Sequence, residues 1–379
     1  MNLTRMLCLL AGAAALAAAA DMDYLVYYGT YTGSESKGIY VSRFDARTGK
    51  LSQPELAGEV PSPSFIAFNP NGKYLYAASE VNSFDGKRTG AVAAFAIDKT
   101  TGKLAHINTV AAGGTGTCFV AVDRSGRVVL AANYGGGSVA SFAVREDGGL
   151  EAAKSVITHS GKGANPQRQE RPHAHSINAS ADSRFAVAAD LGIDKLMVYK
   201  LDPAAAALTP NDPPFLATKP GAGPRHFAFH PNGKLAFVIN ELDSTLSSLS
   251  WDAAKGVLAE IRTVTTLPKD FSGESYPAEV AVHPSGKFVY GSNRGHDSIA
   301  VFGVDAGGAL TPVEHVSTQG KWPRNFSVDP TGTWLIVANE RTNNVVVFRI
   351  DGKTGKLTPA GASVELSKPV CVRFYKLGK

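Results

Sequence analysis

Short runs of apolar residues, separated by turn residues, follow one another along almost the whole chain. Typical examples are Phe65-Ile66-Ala67-Phe68 and, after a tight turn, Tyr74-Leu75-Tyr76-Ala77. Runs of this length bounded by Gly, Pro, Asn and Asp are typical of β-strands, and almost no segment shows the 3.6-residue periodicity of a helix. The pattern therefore predicts an all-β protein.

Two turn signatures alternate along the chain and define a repeating unit. The first is a turn followed by leucine, 46 to 58 residues apart, at Leu51, Leu104, Leu150, Leu208, Leu258, Leu310 and Leu357. The second is a tight turn between two β-like runs, at Gly72, Gly126, Ser183, Gly233, Gly286 and Gly332. Asn, Asp or Ser followed by Gly supplies the positive-φ positions that hairpins need. Each interval therefore holds about four short antiparallel strands, which is one supersecondary unit.

The two ends of the chain explain why seven leucine turns accompany only six hairpin turns. Residues 369–374 match a first strand with nothing after it, whereas residues 24–28 and 38–44 match later strands with no first strand before them. Joining the ends would complete a seventh sheet and close the ring. The sequence thus predicts a seven-bladed β-propeller whose closing blade is shared between the N- and C-termini. A repeat near 51 residues argues against the WD40 type.

The first 20 residues have the pattern of a secretory signal peptide, with Arg5, an apolar run and small residues before Asp21. No other run reaches the roughly 18 apolar residues that span a bilayer. We therefore expect residues 1–20 to be cleaved and residues 21–379 to form one propeller domain. That domain should be periplasmic or secreted, with no membrane attachment after cleavage. A closed ring leaves no free strand edge, so we expect a monomer.

Composition excludes several classes of protein. The chain has 379 residues, of which 44% are hydrophobic and 19% charged, enough apolar material for a large core. Its net charge of +5 is spread along the sequence, so we expect no nucleic-acid partner and at most a small anionic ligand. Beyond residue 20 the cysteines are Cys118 and Cys371, which we expect to be free, buried thiols.

Counting from the hairpin turns brings polar residues from distant parts of the chain to one mouth of the central channel. A blade's first strand begins on the face where its second strand ends, so two sets of positions should meet there. Eight residues before the turn stand Ser64, Cys118, His175, Arg225, Ala278 and Arg324. Seven and eight residues after it stand Ser79-Glu80, Asn133-Tyr134, Asp190-Leu191, Asn240-Glu241, Asn293-Arg294 and Asn339-Glu340. The opposite face shows no comparable set.

The charges at these positions suit the attack of water on a carbonyl group. A carboxylate or imidazole takes the proton from water, while guanidinium groups hold an anionic substrate and stabilise an oxyanion. Glu241 and Arg225 fit the roles of base and clamp, and they equally fit a simple ion pair. His173 and His175 have the spacing of two metal ligands, but no Cys or Asp cluster completes a set, so we expect no metal.

Several motifs together resemble the 6-phosphogluconolactonase-type propeller lactonases, a family that includes fungal carboxymuconate cyclases. They are Tyr28-Gly29-Thr30-Tyr31-Thr32, Pro172-His173-Ala174-His175, Asp190-Leu191-Gly192, Gly223-Pro224-Arg225-His226, Asn240-Glu241-Leu242, Ser292-Asn293-Arg294 and Pro323-Arg324-Asn325. The resemblance implies a seven-bladed fold and a site that opens or closes lactone rings without a cofactor. It also implies a catalytic set of one His, two Arg and one Glu, which falls on His173 or His175, Arg225, Glu241 and Arg294.

We therefore expect an exported hydrolase that opens a sugar-derived or carboxylated lactone, with Glu241 or a histidine activating water. The residues expected to contact this small anionic lactone are Arg324, Asn293, Asn325, Asp190 and Glu340. Two alternatives stay open: a non-catalytic exported propeller that binds a ligand or partner protein, and a cycloisomerase of the muconate type. Export would separate the protein from the cytosolic pentose phosphate pathway, so the phosphorylated sugar lactone need not be its substrate.

Overall fold

Seven antiparallel sheets are arranged as blades around a central channel in the computed structural model, which describes residues 24–377. The prediction of a seven-bladed β-propeller is therefore confirmed. Within this range, no helix is long and apolar enough to cross a bilayer. The predicted signal peptide, residues 1–20, lies outside the described residues.

The closing blade joins the two ends of the chain, as the sequence predicts. Its strands are β1 (Tyr24–Thr30), β2 (Gly38–Asp45), β3 (Lys50–Leu51), β4 (Glu55–Glu59) and the C-terminal β29 (Pro369–Lys376). β29 and β2 flank β1 and are both antiparallel to it, with Tyr24 opposite Lys376 and Gly29 opposite Cys371. Because β1 is central in its sheet and lies between two blades, all seven of its residues are buried.

The first three of the remaining blades consist of consecutive strands, with the first strand nearest the channel. Blade 1 contains β5 (Pro63–Phe68), β6 (Tyr74–Ser79), β7 (Ala91–Ile97) and β8 (Leu104–Ala111). Blade 2 contains β9 (Thr117–Val122), β10 (Val128–Asn133), β11 (Ser138–Ala143) and β12 (Ser155–Thr158). Blade 3 contains β13 (Ala174–Ala179), β14 (Phe185–Asp190), β15 (Lys195–Asp202) and β16 (Ala207–Ala217).

The next three blades repeat this order. Blade 4 contains β17 (Pro224–Phe229), β18 (Leu235–Asn240), β19 (Thr245–Asp252) and β20 (Val257–Thr265). Blade 5 contains β21 (Tyr276–Val282), β22 (Phe288–Arg294), β23 (Ser298–Val304) and β24 (Leu310–Ser317). Blade 6 contains β25 (Pro323–Val328), β26 (Trp334–Asn339), β27 (Asn344–Ile350) and β28 (Leu357–Glu365).

Apolar side chains fill the spaces between neighbouring blades. Successive residues of a strand point to opposite faces. Accordingly, Leu25 and Tyr27 of β1 pack with blade 1, whereas Tyr24 and Val26 pack with blade 6. This packing fixes the orientation of each blade, and with it the positions of the strand ends around the channel.

The predicted turn chemistry and cysteine state are both confirmed. The glycines of the hairpin turns have positive φ, for example 64° at Gly72 and 74° at Gly286. Ser183, which replaces glycine in blade 3, adopts the same left-handed conformation at a φ of 57°. Cys118 and Cys371 are buried and form no disulfide.

Candidate active site

A one-residue bulge near the start of each first strand turns a side chain toward the channel. In β13 the register shifts between Ala174 and Ser176, which leaves His175 without a partner in β14. Arg225 of β17 and Arg324 of β25 are skipped in the same way. Bulges re-aim side chains and are frequent beside active sites. The residues that stand eight positions before each hairpin turn therefore lie in these bulges.

In most blades the second strand ends with a structural residue that is followed by a residue facing the mouth. Blade 3 is the exception, because Leu191, which follows Asp190, is fully buried. Asn133, Asn293 and Asn339 each donate a side-chain hydrogen bond of 2.7–3.0 Å to a carbonyl of the segment that leads into their own blade. The residues that follow the first two, Tyr134 and Arg294, line a pocket. The recurring asparagine thus secures the blade, and the next residue is available for function.

The two sets of residues enclose a pocket of about 170 Å³ at one mouth of the channel. Its walls are formed by Glu80, Cys118, Tyr134, Arg168, His175, Glu241, Arg294 and Arg324. Arg225 lies behind this pocket, in a smaller cavity whose wall also includes His175 and Arg324. The structure therefore brings together His175, Arg225, Glu241, Arg294 and Arg324, which come from blades 3 to 6.

Glu241 lies between three guanidinium groups. Its Oε2 accepts hydrogen bonds from Arg225 Nε (2.9 Å) and Arg294 Nη2 (2.8 Å), and its Oε1 accepts one from Arg168 Nη2 (2.6 Å). Burial would raise the pKa of Glu241, but the charges of Arg294 and Arg225 outweigh burial and hold this pKa well below its usual value. Glu241 is therefore ionised at neutral pH and is a weak base.

His175 is a neutral imidazole on the pocket wall. Burial lowers its pKa well below the usual value, and the nearby Arg225 and His226 lower it further. Its Nδ1 lies 3.7 Å from the Cys118 sulfur, and its ring meets the Tyr134 ring edge to face. The lowered pKa makes His175 a weaker base than a free imidazole but keeps its ring neutral at neutral pH. Unlike Glu241, it is not held in an ion pair with arginine, so His175 can accept a proton from water as a general base.

His173, the other histidine of the motif, lies outside the pocket wall. Its ring stacks on Tyr134 with the ring centroids 4.4 Å apart, and its Nδ1 donates to the Tyr134 carbonyl at 3.0 Å. Asp190 accepts a hydrogen bond from the His173 backbone nitrogen (2.7 Å) and binds His159 Nδ1 (2.5 Å). The two histidines that the sequence does not distinguish are therefore separated by the structure: His175 faces the pocket, and His173 supports Tyr134.

The structure places four predicted substrate-binding residues away from the pocket wall. Asp190 and Asn293 are fully buried and hold backbone groups of their own blades. Asn325 lies deeper in the channel, where its Oδ1 accepts from the backbone nitrogen of Val372. Glu340 is half-buried beside Arg324. Buried amides and carboxylates usually satisfy backbone groups, and residue spacing does not distinguish that role from ligand binding.

Arg168 is a pocket residue that the sequence count does not predict. It lies in the connection between β12 and β13, outside the repeating strands. The adjacent Gln169 is fully buried and donates at 2.7 Å to both the Leu191 carbonyl and Asp194 Oδ1, which fixes the connection. Glu80 and Tyr134, by contrast, stand eight residues after their hairpin turns, as Glu241 does, so the sequence places them at this mouth of the channel.

Arg324 differs from the other pocket arginines, all of which pair with Glu241. Its Nη2 donates to the Tyr31 hydroxyl (2.6 Å), and that hydroxyl donates to Glu80 Oε2 (3.1 Å). Among residues 24–377, no carboxylate lies within ion-pair distance of Arg324. Its remaining N–H groups are therefore available to an anionic ligand.

In the described part of the chain, no group of three or more His, Cys, Asp or Glu side chains is placed to hold a metal ion. A second cavity differs from this pocket in its chemistry. A larger groove of about 560 Å³, which includes Phe229 and Trp251, lies among the hairpin turns and is mainly apolar. That groove lacks a set of convergent charges like the one around Glu241.

We expect the Cys118 thiol to be unreactive in the folded protein, although it lines the pocket. Burial raises its pKa to about 12, so little of the nucleophilic thiolate exists at neutral pH. Iodoacetamide treatment followed by mass spectrometry should label Cys118 only after denaturation, with the buried Cys371 as an internal control. Rapid labelling of Cys118 alone in the native protein would instead identify an activated nucleophile.

The chain resembles known proteins over nearly its whole length. Residues 25–374 match the family described as lactonase, 7-bladed beta-propeller. The chain is 43% identical over 352 residues to the 6-phosphogluconolactonase of Bacillus subtilis, covering 93% of this chain and 98% of that protein. It is 35% identical over 338 residues to the 6-phosphogluconolactonase of Formosa agariphila, covering 88% and 94%. The structure matches the periplasmic gluconolactonase of Pseudomonas aeruginosa with a TM-score of 0.87 and 32% identity, covering 94% of this chain and 99% of that one.

Proposed function

The chain belongs to the seven-bladed β-propeller lactonase family, and on this premise we propose that it hydrolyses a sugar-derived or carboxylated lactone in the pocket around Glu241. The relatives named 6-phosphogluconolactonase support a lactone-opening hydrolase. One observation carries the assignment to this pocket: a neutral imidazole, His175, faces the same small space as the arginines around Glu241 and the unpaired Arg324.

His175 is the general base in this proposal. Its imidazole takes a proton from a water molecule as the water oxygen bonds to the lactone carbonyl carbon. Glu241 is less suited to this step because three guanidinium groups stabilise its ionised form. Its role is to hold Arg294 and Arg168 at the pocket wall.

Arg294 and Arg168 stabilise the negative charge that develops on the carbonyl oxygen. Because both side chains already bind Glu241 before substrate arrives, little reorganisation is needed during the reaction. The tetrahedral intermediate then breaks its ring carbon–oxygen bond, and the ring oxygen takes a proton from His175. The product is a hydroxycarboxylate.

Arg324 sets the preference for anionic substrates. Replacing it with glutamine is expected to raise KM for a phosphorylated or carboxylated lactone by about tenfold or more, since a hydrogen bond to a charged group contributes about 1.5–3 kcal/mol. The KM of an uncharged sugar lactone should change much less. Steady-state kinetics on both substrates test this, and an equal change in the two KM values would remove Arg324 from anion recognition.

The function itself is tested by assaying the mature protein, residues 21–379, on a panel of lactones with spontaneous hydrolysis subtracted. The panel should include gluconolactone, its 6-phosphate and a muconate-type lactone followed in both directions, each with and without chelator. Hydrolysis of a sugar lactone is expected. Inactivity on the whole panel, with saturable binding of a protein or glycan, would favour a non-catalytic propeller.

We also propose that the protein acts after export. The pattern of residues 1–20 supports this, and the Pseudomonas aeruginosa relative is named as periplasmic. Expression of the full chain in a Gram-negative host should place the lactonase activity in the periplasmic fraction or the medium. Activity confined to the cytosol, with residues 1–20 retained, would contradict export.

A further inference from the structure

Behind the pocket, the channel holds a pair of ionisable side chains that the proposed mechanism does not use. His226 and Glu279 are only 3% and 6% exposed, and His226 Nδ1 lies 3.1 Å from Glu279 Oε1. Glu279 also accepts hydrogen bonds from the Val280 backbone nitrogen and from Asn325 Nδ2. Buried carboxylates are costly to ionise, so a pair of this kind invites a functional explanation.

A small cavity connects this pair to His175. It measures about 10 Å³, room for about one water molecule, and is lined by both histidines and by Ser64. His226 Nε2 and Ser64 Oγ are buried and have no hydrogen-bond partner. The rings of His175 and His226 meet edge to face, with their centroids 5.2 Å apart. Two unpartnered polar atoms around a space of this size suit a bridging water.

On its other side, Glu279 reaches the opposite mouth of the channel. Together with Arg373 it lines a pocket of about 270 Å³ among the hairpin turns. Arg373 Nη2 lies 3.6 Å from Glu279 Oε2. Ionisable groups therefore extend from His175 through His226 to Glu279, from one face of the propeller to the other.

The charges around the pair favour the binding of a proton by Glu279 over its binding by His226. The nearest carboxylate to His226 is Glu279 of β21. The other titratable groups that face His226 are Arg225 on its own strand, Cys118 of β9, His175 of β13, Arg294 of β22, Arg324 of β25 and Arg373 of β29. Burial and these arginines lower the pKa of His226 well below its usual value. Burial raises the pKa of Glu279, which outweighs the influence of Arg373.

We propose that His226 and Glu279 carry the proton released by lactone hydrolysis from His175 to the opposite mouth, an inference that rests on the proposed function. Hydrolysis consumes one water: one of its protons ends on the ring oxygen, and the other is released when the carboxylic acid ionises. His175, neutral again after protonating the ring oxygen, takes this second proton from the carboxylic acid and passes a proton to the bridging water. That water gives a proton to His226 Nε2 as His226 Nδ1 gives its own to Glu279. Glu279 releases the proton to solvent, and tautomeric exchange restores His226.

Glu279→Gln removes the final proton acceptor while keeping the size of the side chain. On a lactone that the wild type hydrolyses, we expect kcat to fall about tenfold or more with KM nearly unchanged. Glu279 must be ionised to accept a proton, so wild-type kcat should fall as the pH drops through the raised pKa of Glu279. That acid limb of the kcat profile should be absent from the variant.

His226→Gln should reproduce both effects, whereas His230→Gln is the matched control. His230 lies four residues further along the chain, where its Nε2 binds the Gly286 carbonyl and its Nδ1 accepts from the Asn232 backbone nitrogen. Because both contacts are to hairpin turns away from the relay, its variant should keep wild-type kcat and the acid limb. Thermal unfolding of each variant checks folding. A wild-type kcat in Glu279→Gln, or a lowered kcat that keeps the wild-type limb, would overturn the relay. A wild type inactive on every lactone would instead reject the proposed function.

Discussion

Replacing His175 with glutamine is expected to lower kcat for lactone hydrolysis by about a hundredfold or more, because general-base catalysis typically contributes 10²–10⁴-fold. KM should change little, since the arginines that hold the substrate remain in place. Glutamine keeps a polar side chain of moderate size beside Cys118, so the variant should still fold. Initial rates over a range of substrate concentrations, with spontaneous hydrolysis subtracted, separate the two parameters.

His173→Gln is the natural comparison because the two histidines belong to one motif. His173 supports Tyr134 from behind and does not line the pocket, so its variant should lose far less activity. The reverse order of losses, or wild-type kcat in His175→Gln, would place the base elsewhere.

The second large effect is on stability, in the variant Glu241→Gln. Removing one partner of a buried ion pair costs about 3–5 kcal/mol, because the remaining charges stay buried without compensation. Here Arg225 and Arg294 are both buried and both depend on Glu241 Oε2. Urea unfolding of the two proteins at neutral pH should show a difference of this size, together with a severe loss of activity.

The stability difference should depend on pH in a defined direction. The pKa of Glu241 is lowered in the folded state, so its contribution is fully present above the unfolded pKa of about 4.3 and is lost as pH falls toward the folded pKa. Wild type and Glu241→Gln should therefore differ by a constant amount near neutrality and converge in acid. Glu340→Gln, at the rim of the same mouth, is the control and should cost much less. Equal stability of Glu241→Gln and wild type would contradict the central role of this carboxylate.

The fold is predictable from the sequence because its information is local and repeated. Each hairpin needs a left-handed turn residue, and the chain marks these positions at regular intervals, including Ser183. The closing blade follows from counting the strands of each repeat. Val370–Phe374 matches a first strand with no later strands after it, and Tyr24–Tyr28 matches a later strand with no first strand before it. The structure pairs these two segments directly.

The candidate site is predictable only where it follows that repeat. Counting reaches His175, Arg225 and Arg324 because a bulge occurs near the start of every first strand. In β21 the register shifts between Pro277 and Val280, so Ala278 and Glu279 both lie in the bulge, and Glu279, one residue past the counted position, lines the cavity at the opposite face. A bulge depends on contacts between strands, and no short sequence pattern marks it.

Arg168 shows a second limit of the sequence. It comes from a connection with no counterpart in the other blades, and its placement depends on Gln169 binding Leu191 and Asp194, which follow the next two strands. Such long-range contacts within an irregular segment leave no periodic signal. They are visible only once the blade is assembled.

A crystal structure of the protein with a bound hydroxycarboxylate product tests the account most directly. The account predicts the product in the pocket of about 170 Å³, with its carboxylate near Arg294 and Arg168, its anionic substituent on Arg324 and His175 within hydrogen-bonding distance. Product bound only in the apolar groove by Phe229 and Trp251, or only beside Arg373, would contradict it.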